Sequence, residues 1–379
     1  MTDPAYPAAR SVASTVHEHF ARHVGEAVAS GRAGVASIPD AHDIEAIIDA
    51  AFWASLRREE TDTPKISLAF LPPEQTAHPL RFERPLTLDP STLARVAPAV
   101  ERPGIHLGVW RNRDDLRVWG TTRIVPTFCF VLEVASPGLL VIKHDRGEEM
   151  GKFVNVAVLE GDQIKVVDEG ASSLPDCPPL LTSMLGFEAP ASWTDSVNVL
   201  VQLAVSMRSH RRGGSLLVVP GSSEQWRESI VHPVRYAVSP PFTELAELMQ
   251  ESAEGWQHYD WQQRLGRSVD AVAGLTAVDG ATVMTERYAL LAFGVKIARR
   301  KSFPQIEQVI VTEPVKGSVP AAVPPAQLGG TRHLSAAQFV QDQRAAIALV
   351  ASQDGRFTVF AWSPCEDMVH AHRVETLLL

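Results

Sequence analysis

The stretch Gly213-Gly214-Ser215-Leu216-Leu217-Val218-Val219 decides the fold class of this chain. Residues 192–212, just before it, have the apolar spacing of a helix, and glycine is favoured immediately after a helix ends. From Leu216 onward the run is apolar without alternation, which is typical of a strand buried on both faces. A helix that leads into such a strand predicts a sheet covered by helices.

The rest of the C-terminal half repeats this alternation of helices and strands. Helical spacing predicts helices over residues 242–249, 261–275 and 336–341. Residues 279–284 are expected to form a strand, and residues 346–350 and 357–362 a hairpin around Gln353-Asp354-Gly355. The proline-rich residues 312–330 are typical of a loop. We therefore expect an α/β-like mixed sheet flanked by helices.

The N-terminal half has a different pattern. Val12, Val16, Phe20 and Val24 recur every four positions, and a second helix is expected after Asp40, a plausible N-cap residue. Beyond Thr61 the period changes to two, which predicts short, mainly antiparallel strands. The fold class is therefore α+β. The predicted domains are N-terminal helices at residues 1–60, a β-rich domain at 61–180 and a mixed-sheet domain at 190–379.

Composition excludes several classes of protein. The chain has 379 residues and a net charge of −9, which argues against nucleic acid as a partner because such binding depends on clustered Lys and Arg. Its three cysteines lack Cys-x-x-Cys spacing, so neither a disulfide framework nor a structural zinc site is expected. We find no secretory signal and no apolar run of about 18 residues, and expect a cytoplasmic protein without a membrane span.

Two motifs in the C-terminal half carry chemically useful side chains. Asp279-Gly280-Ala281 follows an apolar stretch, and Gly330-Thr331-Arg332-His333 follows the proline-rich loop. We expect a strand after each. A carboxylate, a hydroxyl, a guanidinium and an imidazole are the groups needed to hold a nucleoside triphosphate and its metal. Their presence in one domain predicts a nucleotide pocket.

These motifs resemble those of the diadenylate cyclase domain, the family that condenses two ATP molecules into cyclic di-AMP. The resemblance includes the nucleotide-binding domain of the DNA-integrity scanning protein and covers residues 195–362. It depends on the order of four elements: the glycine-led strand at Ser215, Asp279-Gly280-Ala281, Gly330-Thr331-Arg332-His333, and the turn that begins at Ser352.

The resemblance implies the residue roles. Asp279 would be the metal ligand, and the catalytic residue if the protein is active, with Mg²⁺ or Mn²⁺ bound together with the nucleotide. The implied nucleotide-binding residues are Gly280, Ala281, Gly330, Thr331, Arg332, His333 and Ser352. The implied partner is an adenine nucleotide or a cyclic dinucleotide, and the resemblance also implies homo-oligomerisation.

Two departures from the family pattern favour binding over turnover. Leu334 stands where the family has a second arginine, and Gln353 replaces an acidic residue. Loss of one preorganised donor costs about 3–4 kcal/mol of transition-state stabilisation in comparable sites. Our leading interpretation is a nucleotide sensor of a divergent cyclase-like branch. An active diadenylate cyclase and a structural protein with a vacant pocket are the alternatives.

Overall fold

A computed structural model describes residues 5–57, 64–113, 115–145, 153–170, 199–251, 259–301 and 303–379. The chain divides into two compact units, residues 1–167 with Leu379 and residues 168–378. Within the described ranges there are seven α-helices and seventeen strands in two mixed sheets, which confirms the α+β class. The predicted domain boundaries near residue 60 and between residues 180 and 190 lie outside the described residues.

In the part of the first unit that the structure describes, there are three α-helices and an eight-stranded sheet. The helices are α1 (Pro7–Ala29), α2 (Ala41–Ser55) and α3 (Pro90–Val96). The strands are β1 (Ser67–Phe70), β2 (Leu80–Thr87), β3 (His106–Asn112), β4 (Asp115–Thr122), β5 (Val131–Ser136), β6 (Leu139–Asp145), β7 (Phe153–Glu160) and β8 (Gln163–Val166). Their order in the sheet is β2-β4-β3-β1-β5-β6-β7-β8, and β1 and β3 are parallel.

The two N-terminal helices share one core with this sheet. The four-residue repeat of α1 buries Val12, Val16 and Phe20, and α2 buries Ile44 and Ile47. The strands contribute apolar side chains to the same core, among them Leu68, Phe70, Leu107, Leu132 and Ile142. The helices pack on one face of the sheet, and their apolar stripes are mostly buried there, although Val28 at the end of α1 is 62% exposed.

Among its described residues, the second unit has four α-helices and a nine-stranded sheet. The helices are α4 (Val199–Ser209), α5 (Glu244–Leu248), α6 (Tyr259–Leu275) and α7 (Thr331–Asp342). The strands are β9 (Gly214–Val219), β10 (Tyr236–Phe242), β11 (Ala281–Thr285), β12 (Leu290–Val295), β13 (Val309–Thr312), β14 (Ala321–Val323), β15 (Ile347–Ala351), β16 (Phe357–Ser363) and β17 (Met368–Arg373). The sheet order is β10-β12-β11-β9-β15-β16-β17-β13-β14.

The central strand of this unit is buried on both faces, as its sequence predicts. Leu216 and Val218 of β9 face a core formed with α4, α5 and α6. Leu217 and Val219 face the other core, to which α7 contributes Phe339 and Val340. The alternation of a strand sends successive side chains to opposite faces, so helices cover both faces of the sheet.

One local prediction is wrong at the second motif. The segment after Gly330 is helix α7, which begins at Thr331, and not a strand. The apolar pattern visible from Ala336 onward belongs to the same helix, whose first turn is polar. Sequence patterning also missed β12, β13 and β17. It missed three further strands, β2, β10 and β14, whose residues are mostly exposed. These strands lie outside the buried centre of their sheets, where apolar alternation is weak.

Candidate functional site

The sheet brings the two sequence motifs to the same end of the second unit. Strands β9 and β11 are parallel, with Thr282 opposite Leu216, so both begin at this end. Strands β12 and β15 run antiparallel to them and end there, with Val295 opposite Ala281 and Ala351 opposite Gly214. We call this the motif end of the second sheet.

Asp279 stands at the motif end immediately before β11. Its side chain is 88% exposed and forms an ion pair with Lys296, which follows β12. The hydrogen bond and charge of Lys296 hold the pKa of Asp279 below its usual range, and the charge of Arg332 lowers this pKa further. The carboxylate is therefore ionised and open to solvent, and Arg332 is near enough to act on it.

Arg332 reaches the motif end from the first turn of α7. A Cβ atom placed on Gly213 would lie 2.9 Å from Nη1 of Arg332, so glycine at this position leaves room for the guanidinium. Arg332 is half-buried, and no hydrogen bond or ion pair of its side chain is found among the described residues. Its five N–H donors are suited to a bidentate contact with phosphate.

The start of α7 also provides backbone N–H donors at the motif end. Gly330 is the N-cap residue, without a side-chain cap, and both Gly330 and Thr331 are exposed. The first N–H groups of a helix have no acceptor within the helix, and the helix dipole is positive at this end. Anions are commonly bound at such positions. The motif end therefore combines a free guanidinium with a helix N-terminus.

His333 is placed differently from its expected role as a phosphate-binding cation. Its side chain is buried, packs edge-on against Phe360 with ring centroids 6.1 Å apart, and lies against Gly329. Burial is the main cause that lowers its pKa, so the imidazole is neutral at pH 7. In this arrangement His333 supports the packing of α7 and supplies no positive charge to the motif end.

The small residues of the first motif have structural roles. Gly280 has a φ of 113°, and a Cβ atom at this position would lie 2.5 Å from the carbonyl carbon of Gly294. Glycine is thus required by the neighbouring strand of the β11–β12 hairpin. Ala281 is buried in the core that contains α7. Neither of them supplies a polar side chain to a ligand.

Ser352 and two residues that sequence reasoning missed complete the motif end. Ser352 directly follows β15, and its N–H donates to the carbonyl of Arg356 at 2.9 Å. Lys296 and Gly213 were not among the predicted site residues. Pairing a strand from Ala281 antiparallel to the next apolar run would have placed Lys296, which follows that run, at the same end of the pair as Asp279. Gly213 and Arg332 are distant in the sequence and meet only through tertiary packing, so no sequence pattern could have predicted their contact.

Within the motif end, Asp279 is the residue suited to the divalent cation that is expected with a nucleotide. Mg²⁺ is often held by one or two carboxylates, with phosphate oxygens and water completing its octahedron. The exposed, ionised Asp279 is suited to supply one such ligand. Lys296 donates to Oδ2 of this carboxylate, so a metal would take Oδ1 or compete with Lys296.

The comparisons with known proteins concern the other unit. A family model described as "Probable sensor domain DACNV" matches residues 33–123, from just before α2 to the end of β4. No curated protein matches the chain. Among the described residues, no helix has both the length and the apolar character required to cross a bilayer. A probable sensor domain is thus indicated in the first unit, whereas the cyclase-like character of the second unit stays a prediction.

Proposed function

We propose that the protein is a nucleotide sensor whose second unit binds an adenine nucleotide or a cyclic dinucleotide at the motif end. One observation carries the proposal: the parallel pairing of β9 and β11 places Asp279 and Gly213 at the same end of the sheet, and a Cβ atom on Gly213 would lie 2.9 Å from Nη1 of Arg332. Asp279 and Arg332 thus meet at this end although 53 positions separate them in the sequence. The motif end thus combines a carboxylate, a lysine, an arginine and a helix N-terminus. The match of residues 33–123 to a probable sensor domain supports a sensing role.

The charges at the motif end favour a phosphate-bearing ligand. Lys296 pairs with Asp279 there, Arg332 lies against Gly213, and Arg211 and Arg212 directly precede that glycine, in a chain of net charge −9. Because the chain as a whole is acidic, a local excess of cations is expected to attract a small anion selectively. The neutral His333 and the substitution at Leu334 leave fewer cations than the family pattern has, which favours binding over turnover.

The test is calorimetry of the full-length protein with ATP and with cyclic di-AMP, each with and without Mn²⁺. Arg332→Ala should weaken binding by about 10- to 100-fold, because hydrogen bonds to charged groups contribute about 1.5–3 kcal/mol. Arg267→Ala on the exposed face of α6 is the matched control and should bind like wild type. Absence of binding to both nucleotides would overturn the proposal.

The diadenylate cyclase alternative is favoured by one observation, the ionised and exposed carboxylate of Asp279. Chromatography after incubation with ATP and Mn²⁺ separates it from a sensor that only binds. Formation of cyclic di-AMP by the wild type, lost in Asp279→Asn, would establish the enzyme. Binding of ATP without product supports the sensor.

A further inference from the structure

Three histidine rings from distant positions in the sequence meet in the first unit. His19 and His23 lie on α1, and His144 lies on β6. The ring centroids of His19 and His23 are 4.5 Å apart, and that of His144 lies 5.5 Å from His19 and 5.8 Å from His23. We call these three rings the histidine cluster. All of them lie outside residues 33–123, the range of the family match.

The helix and the strand place these rings by their ordinary geometry. His19 and His23 are four positions apart in the sequence, so they lie on one face of α1, about one turn from each other. His144 continues the alternation of Leu140 and Ile142, whose side chains belong to the core that α1 shares with this sheet. The histidine cluster therefore lies between the second half of α1 and the end of β6.

Aromatic side chains surround part of the cluster. Phe20 is 1% exposed and contacts His144 edge-on, with ring centroids 5.8 Å apart. Phe128 lies 5.1 Å from His144 and stacks on His23 at 5.6 Å, and its N–H donates to the carbonyl of Asp145 at 2.7 Å. His144 is 2% exposed, whereas the side chain of His23 is 19% exposed. The cluster is therefore buried at His144 and reaches solvent at His23, which gives an ion a path of entry.

The spacing of the rings is that of imidazoles around one metal ion. A zinc–nitrogen bond is about 2.0–2.1 Å long, so the centres of two imidazoles on the same tetrahedral ion are about 5 Å apart. The three observed separations lie on both sides of this value, and ligand atoms of His19 and His23 lie within 4.8 Å of each other. Nδ1 of His144 lies 3.4 Å from the carbonyl oxygen of Asp145, as is common for the outer nitrogen of a metal-bound histidine. Nε2 of His144 is then the third ligand atom, which a rotation of this ring would bring to the ion.

Two charged side chains flank the partly exposed His23. Oε2 of Glu26 lies 3.9 Å from its Nδ1, and Nη2 of Arg22 lies 3.3 Å from its Nε2. A carboxylate on the outer nitrogen orients a metal-bound histidine and raises its basicity. Arg22 has the opposite effect, because its positive charge stands at the nitrogen that would bind the ion. Since Arg22 is exposed, its side chain can turn into solvent when the ion enters.

We propose that His19, His23 and His144 bind one divalent metal ion that prefers nitrogen ligands. Zn²⁺ is the best match to three imidazoles and one open position, whereas Mg²⁺ and Ca²⁺ prefer oxygen ligands. Water takes the fourth position, on the side of the cluster that His23 opens to solvent. This site differs from the motif end, where the carboxylate of Asp279 suits Mg²⁺ with a phosphate. It does not depend on the proposed nucleotide function.

The experiment is a titration of the full-length protein, freed of metal by a chelator and without nucleotide. Calorimetry with Zn²⁺ should show one ion bound per chain with a Kd of about 1 μM or below. Co²⁺ is the spectroscopic probe, because a four-coordinate Co²⁺ ion absorbs visible light far more strongly than the six-coordinate ion in water. The absorbance should rise until one equivalent is bound and should be lost when Zn²⁺ displaces Co²⁺.

Variants of α1 then locate the ion. His19→Gln and His23→Gln should each weaken Zn²⁺ binding by at least about 100-fold, since even groups that only orient a ligand contribute about 10- to 100-fold. Both side chains are only partly buried, so circular dichroism should show that these variants fold. His17→Gln on the same helix is the matched control and should bind like wild type, because Nδ1 of His17 is hydrogen-bonded to the carbonyl of Pro39 at 2.9 Å. Arg22→Ala should tighten Zn²⁺ binding several-fold, since it removes a cation beside a ligand atom.

Three outcomes would overturn the proposal. The first is no saturable binding of Zn²⁺ or Co²⁺ to the wild type at micromolar concentrations. The second is unchanged Zn²⁺ affinity in both His19→Gln and His23→Gln. The third is loss of Zn²⁺ binding in Asp279→Asn, which would place the ion at the motif end. Loss of ATP binding in Arg332→Ala alone concerns the nucleotide proposal and not the histidine cluster.

Discussion

At the scale of single residues, Gly280 shows that backbone structure can explain why a particular residue occurs in a motif. Its φ of 113° is rarely adopted by residues with a side chain, and its α-carbon faces the backbone of Gly294 and Val295. Glycine would therefore be retained here even without a ligand. The tripeptide Asp279-Gly280-Ala281 thus contains one exposed polar side chain followed by two residues that the hairpin and the core require.

This contact gives a stability prediction for Gly280→Ala. We expect the free energy of unfolding to fall by at least about 2 kcal/mol, because backbone strain and overpacking add. Urea denaturation measures the change. Gly266→Ala in α6 is the matched control: a Cβ atom there meets nothing within 4 Å, and the change should stabilise the protein by about 0.5–1 kcal/mol. Equal stabilities of the two variants would contradict the proposed contact.

At the scale of elements, α2 is fixed at its start by a reciprocal cap. The Asp40 side chain accepts the N–H of Asp43 at 2.9 Å, and the Asp43 side chain accepts the N–H of Asp40 at 3.1 Å. Arg111 of β3 forms ion pairs with both carboxylates. The same two residues thus end the preceding loop, start the helix and connect it to the sheet.

The cap predicts the cost of removing Asp40. Asp40→Ala should lower the free energy of unfolding by about 1 kcal/mol, since an N-cap side chain satisfies a backbone donor that otherwise has no acceptor. Glu45→Ala tests the same helix without the cap: Glu45 forms an exposed pair with Arg10 at 3.7 Å, and such pairs contribute about 0–1 kcal/mol. If urea denaturation shows the same loss of unfolding free energy for Asp40→Ala and Glu45→Ala, the cap contributes no more than a surface ion pair.

At the scale of the whole molecule, each unit contains a buried histidine that makes it sensitive to acid. His106 in the first unit shares a hydrogen bond of 2.7 Å with Ser67, and burial lowers its pKa to about 4. His372 in the second unit shares a bond of 2.7 Å with Thr312, and burial lowers its pKa to about 3. Both are neutral in the folded protein at pH 7.

The direction of the pH effect follows from these values. An unfolded histidine has a pKa of about 6.5, so the unfolded chain binds more protons below this pH and stability falls on acidification. The loss begins near pH 6.5 and continues to about pH 4 for His106 and about pH 3 for His372. We expect each unit to lose about 2 kcal/mol between pH 7 and pH 5.

Hydrogen-exchange mass spectrometry can follow β3 and β17 at both pH values and so report on each unit. His106→Asn should flatten the pH dependence of the first unit and leave that of the second unit unchanged. The exposed His42→Asn is the control and should keep the wild-type dependence. An unchanged slope in His106→Asn would show that another group causes the acid sensitivity.

The fold class and several elements could be predicted from the sequence because local periodicity reports which side of an element is buried. The repeat of Val12, Val16 and Phe20 predicted α1, and the alternation beyond Thr61 predicted a sheet. The strand from Gly214 was recognisable because both of its faces are apolar. The first turn of α7 was missed because Thr331, Arg332 and His333 are polar, so no apolar repeat marked it.

The sequence by itself determined the α+β class and the presence of a carboxylate motif and a cationic motif in one half of the chain. Only the tertiary structure decided that Arg332 lies at the same end of the sheet as Asp279, that Lys296 pairs with this carboxylate and that His333 is buried. The reason is physical: local pattern depends on each element alone, whereas these neighbours depend on β9 lying between β11 and β15.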